Sequence, residues 1–121
     1  MADIQDSLQK IMEMDGAIGA ALVDYNSGMT LGTIGGGKLD MELAGAGNTE
    51  VIRAKKSIID QLKLDEQIQD ILVTLGSQYH LIRVFHQNDS VFTYVVLDKK
   101  KANLALARIQ LEQVDADLEL A

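Results

Sequence analysis

The 121-residue chain predicts an α+β fold. The expected form is a three-layer sandwich in the order αββαβββα, a five-stranded antiparallel sheet with helices on both faces. Three observations carry this reading. Short β-branched or small apolar runs alternate with polar and glycine turns. Most of those turns are too short for a crossover helix, so neighbouring strands pair as hairpins. Three longer stretches instead repeat their apolar residues at helical spacing, at the start, middle and end of the chain.

Asp3 to Met14 is the first helix, with Ile4, Leu8, Ile11 and Met12 in phase and Asp3 able to cap it. Ala17 to Tyr25 is the first strand. It is apolar on both faces, as a strand inside a covered sheet requires. Asn26-Ser27-Gly28 turns it into a second strand, Met29 to Ile34, with glycine where a left-handed residue is needed. Gly35-Gly36-Gly37 breaks the pattern, and Asp40 caps the helix that follows. Ile68 to Leu75, Gln78 to Phe85 and Val91 to Leu97 form an antiparallel meander, joined at Gly76-Ser77 and at the polar turn His86 to Ser90. Tyr79, Leu81 and Phe85 share one face of the fourth strand, interrupted by Arg83. The last helix, about Lys101 to Leu118, carries one stripe: Leu104, Ala107, Leu111, Val114 and Leu118.

The middle helix, within Leu39 to Leu62, has more apolar face than one sheet needs. At 100° per residue, Ala44, Val51, Ile58 and Leu62 fall together. Met41, Ile52 and Ile59 lie to one side, and Leu43, Gly47 and Ala54 to the other. Thr49, Arg53, Lys56 and Asp60 fall opposite. The apolar arc spans about 200°, about twice what a surface helix uses to cover a core. The alternative is a loose helix over a broad sheet, weakened by its glycines. With Ile52, Ile59 and Leu62 assigned to its own sheet, the helix leaves Ala44, Gly47, Asn48, Val51, Ala54, Lys55 and Ile58 for a partner. Asn48 and Lys55 are polar intrusions of the kind that fix register between helices.

Bulk properties narrow the function. One domain spanning 1–121 is expected from the length, and 47% apolar residues argue against disorder. The net charge of −7 repels phosphate backbones, which makes nucleic acid a poor partner. No apolar run approaches the ~18 residues of a membrane span, and the N-terminus lacks the pattern of a signal peptide. No membrane insertion is expected. Cysteine is absent, which removes disulfide and thiolate chemistry and fits a cytoplasmic protein.

Motifs for chemistry are weak. Gly32-Thr33-Ile34-Gly35-Gly36-Gly37-Lys38 fits the phosphate-loop pattern G-x-x-x-x-G-K. The next residue is Leu39, where the magnesium-binding hydroxyl belongs, and the preceding strand is half of a hairpin. His80 and His86 are about 20 Å apart along one strand and cannot share a metal. None of the five serines sits in a strained elbow. Glu112, Asp115, Asp117 and Glu119 make an acidic end, read as a solvated terminus or as a docking patch for a basic partner. No catalytic residue, cofactor or metal is expected, and the protein is not expected to be an enzyme.

Three stretches resemble the Roadblock family, the dynein light chain-like domains related to profilin and longin folds: GAIGAALVDYNSGMTLG (16–32), AGAGNTEVIRAK (44–55) and DILVTLGSQYHLIRVF with VFTYVVLD (70–98). The middle stretch is most like the bacterial, stand-alone members. The resemblance implies a non-catalytic homodimer in which the long helices of two copies pack side by side and the third strands join the two sheets. It also implies binding and regulation of a small Ras-like GTPase. Two further functions remain open, a small-ligand sensor and a purely structural scaffold subunit. The glycine-rich segment before the middle helix is read as a flexible strand-to-helix loop with Lys38 solvated, and this is directly testable. Calorimetry should find no ATP or GTP affinity tighter than roughly millimolar, and Lys38→Ala should change nothing; micromolar binding abolished by that substitution contradicts it.

Overall fold

The computed structural model describes residues 2–87 and 90–120. Its elements are α1 (Ile4–Met12), β1 (Ala17–Asp24), β2 (Met29–Gly35), α2 (Met41–Gln61), β3 (Asp70–Thr74), β4 (Gln78–Val84), β5 (Val91–Asp98) and α3 (Leu104–Asp117). The strands form one antiparallel sheet in the order β2-β1-β5-β4-β3. The expected αββαβββα sandwich is therefore the architecture found. Asn88 and Asp89, within the expected turn His86 to Ser90, lie outside the described residues.

Each helix starts where a short polar side chain accepts a backbone N–H. Asp3 and Asp6 form a reciprocal capping box, Asp40 accepts from Leu43 N–H at 3.0 Å, and Asn103 accepts from Leu106 N–H at 3.1 Å. Gly28 closes the β1–β2 hairpin with φ +77°. The glycine run after β2 also has a structural explanation. Gly36 N–H donates to Ile18 O at 2.8 Å, and a Cβ on Gly36 would lie 2.4 Å from the Met41 side chain. These glycines let the chain turn tightly against β1 on its way into α2.

The alternation of β1 and β5 divides the interior in two. Ala20, Leu22, Val91, Val95 and Leu97 face α1 and α3, where they pack on Leu8, Ile11, Leu111 and Val114. Ala21, Val23, Phe92, Tyr94 and Val96 face α2, where they meet Met41 and Ile52. The α3 stripe behaves as its spacing predicts, with Ala107, Leu111, Val114 and Leu118 all buried.

The acidic end needs a correction. Asp115 is buried, and its carboxylate accepts His86 N–H at 2.6 Å and Gln87 N–H at 3.1 Å. It ties the β4–β5 turn to α3 and is no part of a solvated or docking terminus. Asp115→Ala would leave two backbone donors without an acceptor. We expect a loss of about 2 kcal/mol in urea unfolding, and an unchanged midpoint would contradict this role.

Candidate functional site: the outer face of helix two

Helix α2 packs on β1 and β2 and only touches β5. Its buried residues are Met41, Gly45, Thr49 and Ile52. These lie about 100° around the helix from the centre of the apolar arc. This corrects the expected orientation. Thr49 and Lys56 face inward, and Leu62, assigned to the sheet, is 62% exposed. The contact at Gly45 explains the rotation. A Cβ there would sit 3.0 Å from both Ala21 Cβ and Val23 Cγ2, so glycine allows helix and strand to approach closely. Thr30 Oγ1 donates to Glu42 O at 3.2 Å beside it.

Polar contacts hold the far end of the helix. Arg53 Nη2 donates to the carbonyls of Tyr25 and Asn26 at 2.8 and 3.0 Å. Lys56 Nζ donates to Tyr25 Oη at 2.8 Å and lies 4.0 Å from the centre of that ring. Lys56, which the helical phase placed opposite the apolar arc, is thus a contact to the β1–β2 hairpin.

The rotation turns the apolar excess outward. Val51 and Ile58 are 41% and 46% exposed, and Leu43 is 70% exposed. Gly47, Ala54 and Lys55 are exposed beside them, whereas Ala44 and Asn48 are half-buried. Asn48 Nδ2 donates back to Ala44 O, so that amide is satisfied within its own helix. Val51, Ala54, Lys55 and Ile58 flank a shallow groove against Asp70 and Ile71 at the start of β3. Of the seven expected residues, five are exposed and all seven line the outer or flanking side of α2.

The strand half of this surface came only from the resemblance, which implies that the third strands join but names no residue there. Ile71 pairs with Ile82, and Val73 pairs with His80, so Ile71 and Val73 share the α2 side of the sheet. Val73 is 39% exposed. The apolar alternation at Ile71 and Val73 was the available signal. Between them and the core, His80 accepts or donates at Tyr94 Oη (2.9 Å) and Gln78 Oε1 (3.0 Å). Burial lowers the His80 pKa below its usual value and raises that of Tyr94. Among the described residues no group of His, Asp and Glu is arranged to hold a metal, and no helix is long and apolar enough to cross a membrane.

No family model matches the chain, and comparison with curated proteins gives no match. Solved structures do match. A Roadblock/LC7 domain from Streptomyces avermitilis superposes with TM-score 0.81 at 10% identity, covering 95% of this chain and 93% of that one. Myxococcus xanthus MglB gives 0.79 at 14% identity, with 91% and 86% covered. The gliding protein MglB from Thermus thermophilus gives 0.75 at 13% identity, with 92% and 82% covered.

The two helix glycines separate the inner from the outer face experimentally. Gly45→Val should cost about 1–3 kcal/mol of stability, because the added atoms meet β1. Gly47 has nothing within 4 Å of a built Cβ, so Gly47→Ala should hold or raise stability by up to about 1 kcal/mol. Equal effects in urea unfolding would contradict the orientation of α2.

Proposed function

From the premise that this chain has the fold of Roadblock/LC7 domains, we propose a single Roadblock-like domain that works as a cytoplasmic homodimer, binding and regulating a small Ras-like GTPase without catalysing a reaction itself. The observation that carries the dimer is the uncovered apolar surface shared by α2 and β3. Leu43, Val51, Ile58 and Val73 are all exposed on it, beside a strand that ends the sheet. An open edge strand next to an apolar face invites pairing with another chain. A two-fold axis would lay this patch on itself, helix beside helix and β3 beside β3. Ala44, Gly47, Asn48, Val51, Ala54, Lys55 and Ile58 are the residues assigned to that contact.

The GTPase reading rests on the resemblance and on the fold shared with MglB. One of those neighbours is described as a gliding protein. A ligand sensor fits less well, because the two cores are filled by Leu, Ile, Val and Phe side chains.

Val51→Glu would bring two like charges into one apolar seam, where a buried unpaired charge costs several kcal/mol. Light scattering coupled to size exclusion should give wild-type protein twice the 13.2 kDa chain mass. Val51→Glu and Ile58→Glu should shift it to the monomer, and Asp60→Asn should not. For the partner, immobilised protein is incubated with host lysate carrying a GTP or a GDP analogue and read by mass spectrometry. A small GTPase enriched with one nucleotide over the other is expected. A GTPase captured with neither contradicts the regulatory reading and leaves the dimer standing.

A further inference from the structure

On the opposite face of the sheet a polar row crosses the strands. Asp70 of β3 lies directly across from Arg83 of β4, which lies across from Thr93 of β5. Arg108 of α3 reaches down to the same carboxylate. It donates Nε–H to Asp70 Oδ2 at 2.9 Å and Nη2–H to Oδ1 at 3.3 Å, a two-pronged grip that uses both oxygens. Arg83 is left with little. It is 7% exposed, and its one ion contact is Nη1 to Asp70 Oδ2 at 3.5 Å, an oxygen already held by Arg108. Its Nε is buried without a partner, and among the described residues no hydrogen bond is made by its Nη2. A buried guanidinium ordinarily finds partners for most of its five donors. Arg83 nevertheless lines an open cleft of about 520 Å³ with Gln69, Asp70, His86, Arg108, Ile109 and Glu112.

We propose that this cleft is a docking site for a carboxylate side chain of a protein partner, an Asp or Glu next to an apolar residue, with Arg83 as its counter-charge. Arg83 and Arg108 share the single carboxylate of Asp70, so the three together carry one positive charge, which a monoanion neutralises. A phosphate dianion would exceed that charge and also meet the exposed Glu112. The apolar neighbour follows from Ile109, which is 54% exposed at the same cleft. A free small carboxylate would gain nothing from Ile109. The site lies on the α3 face of the sheet, opposite α2, and shares Asp70 at the start of β3 with the groove beside the outer face of α2.

The chain has only three arginines, Arg53, Arg83 and Arg108, so their side-chain Nε–H signals resolve in a ¹⁵N NMR spectrum. The full-length protein is titrated with acetate, inorganic phosphate, acetyl-Leu-Glu-amide and acetyl-Leu-Gln-amide. The Arg83 signal should move saturably with the Glu peptide, at about tenfold lower concentration than with acetate, while Arg53 stays in place and the Gln peptide is silent. Arg83→Lys should abolish the saturable shift of the Arg108 signal, which lies in the same cleft. Should that variant fail to fold, Ile109→Ser, at an exposed position, should remove the peptide's advantage over acetate without changing the acetate response. Arg83 and Arg53 moving together, Glu and Gln peptides acting alike, peptide and acetate saturating equally, phosphate binding more tightly than acetate, or no effect of Ile109→Ser would each overturn the proposal.

Discussion

The close approach of Gly45 to β1 sets the plan of the molecule. Helix α2 can sit low on the sheet only where it lacks a side chain, and there it meets Ala21 and Val23. The β1–β2 hairpin then grips it along its length, through Thr30 near the start and Tyr25 and Asn26 near the end. A helix centred over β1 and β2 still buries Ile82 and Val84 of β4, but it does not reach across β3. That edge strand is therefore only partly covered, with Ile71 half-buried and Val73 exposed. The outward turn of Val51 and Ile58 and the exposure of Val73 both follow from where the helix is anchored.

This dependence explains what the sequence disclosed and what it hid. Strand and helix identities were legible because period-2 and period-3.6 patterns are written in single residues, as in the α3 stripe or the β-branched run of β5. The turn at Gly28 was legible because only a few residues tolerate its backbone. The face of α2 was not. Periodicity weighs hydrophobicity, whereas the sheet selected a small residue, Gly45, and a polar one that bonds inward, Lys56 to Tyr25. An arc of about 200° contains two contact faces, and its centre belongs to neither alone. The surplus still marked a second surface, and of the seven residues assigned to it Gly47, Val51, Ala54, Lys55 and Ile58 are exposed, whereas Ala44 and Asn48 are half-buried. The strand half of that surface came only from the resemblance, and its residues were not singled out because β3 is short and its place depends on a sheet order that local patterns do not reveal.

The other sheet face follows a different logic. There Asp115 and Asp70 are fixed by the chain around them, one by turn amides and the other by Arg108. Acids read as a run of charge separate into anchors and solvated groups once α3 lies against the β4–β5 turn. Arg83 looked like a break in an apolar strand face, yet it is the middle member of a polar row that runs from Asp70 to Thr93.

The central claim is that the outer face of α2 and the edge of β3 are two parts of one symmetric contact. Hydrogen exchange at the β3 amides not bonded to β4 tests it most directly. In a dimer joined through β3 those amides are protected at micromolar concentration, as in an interior strand, and lose protection on dilution or in Val51→Glu. Exchange at the rate of an open edge at every concentration, in wild type and variant alike, would contradict it.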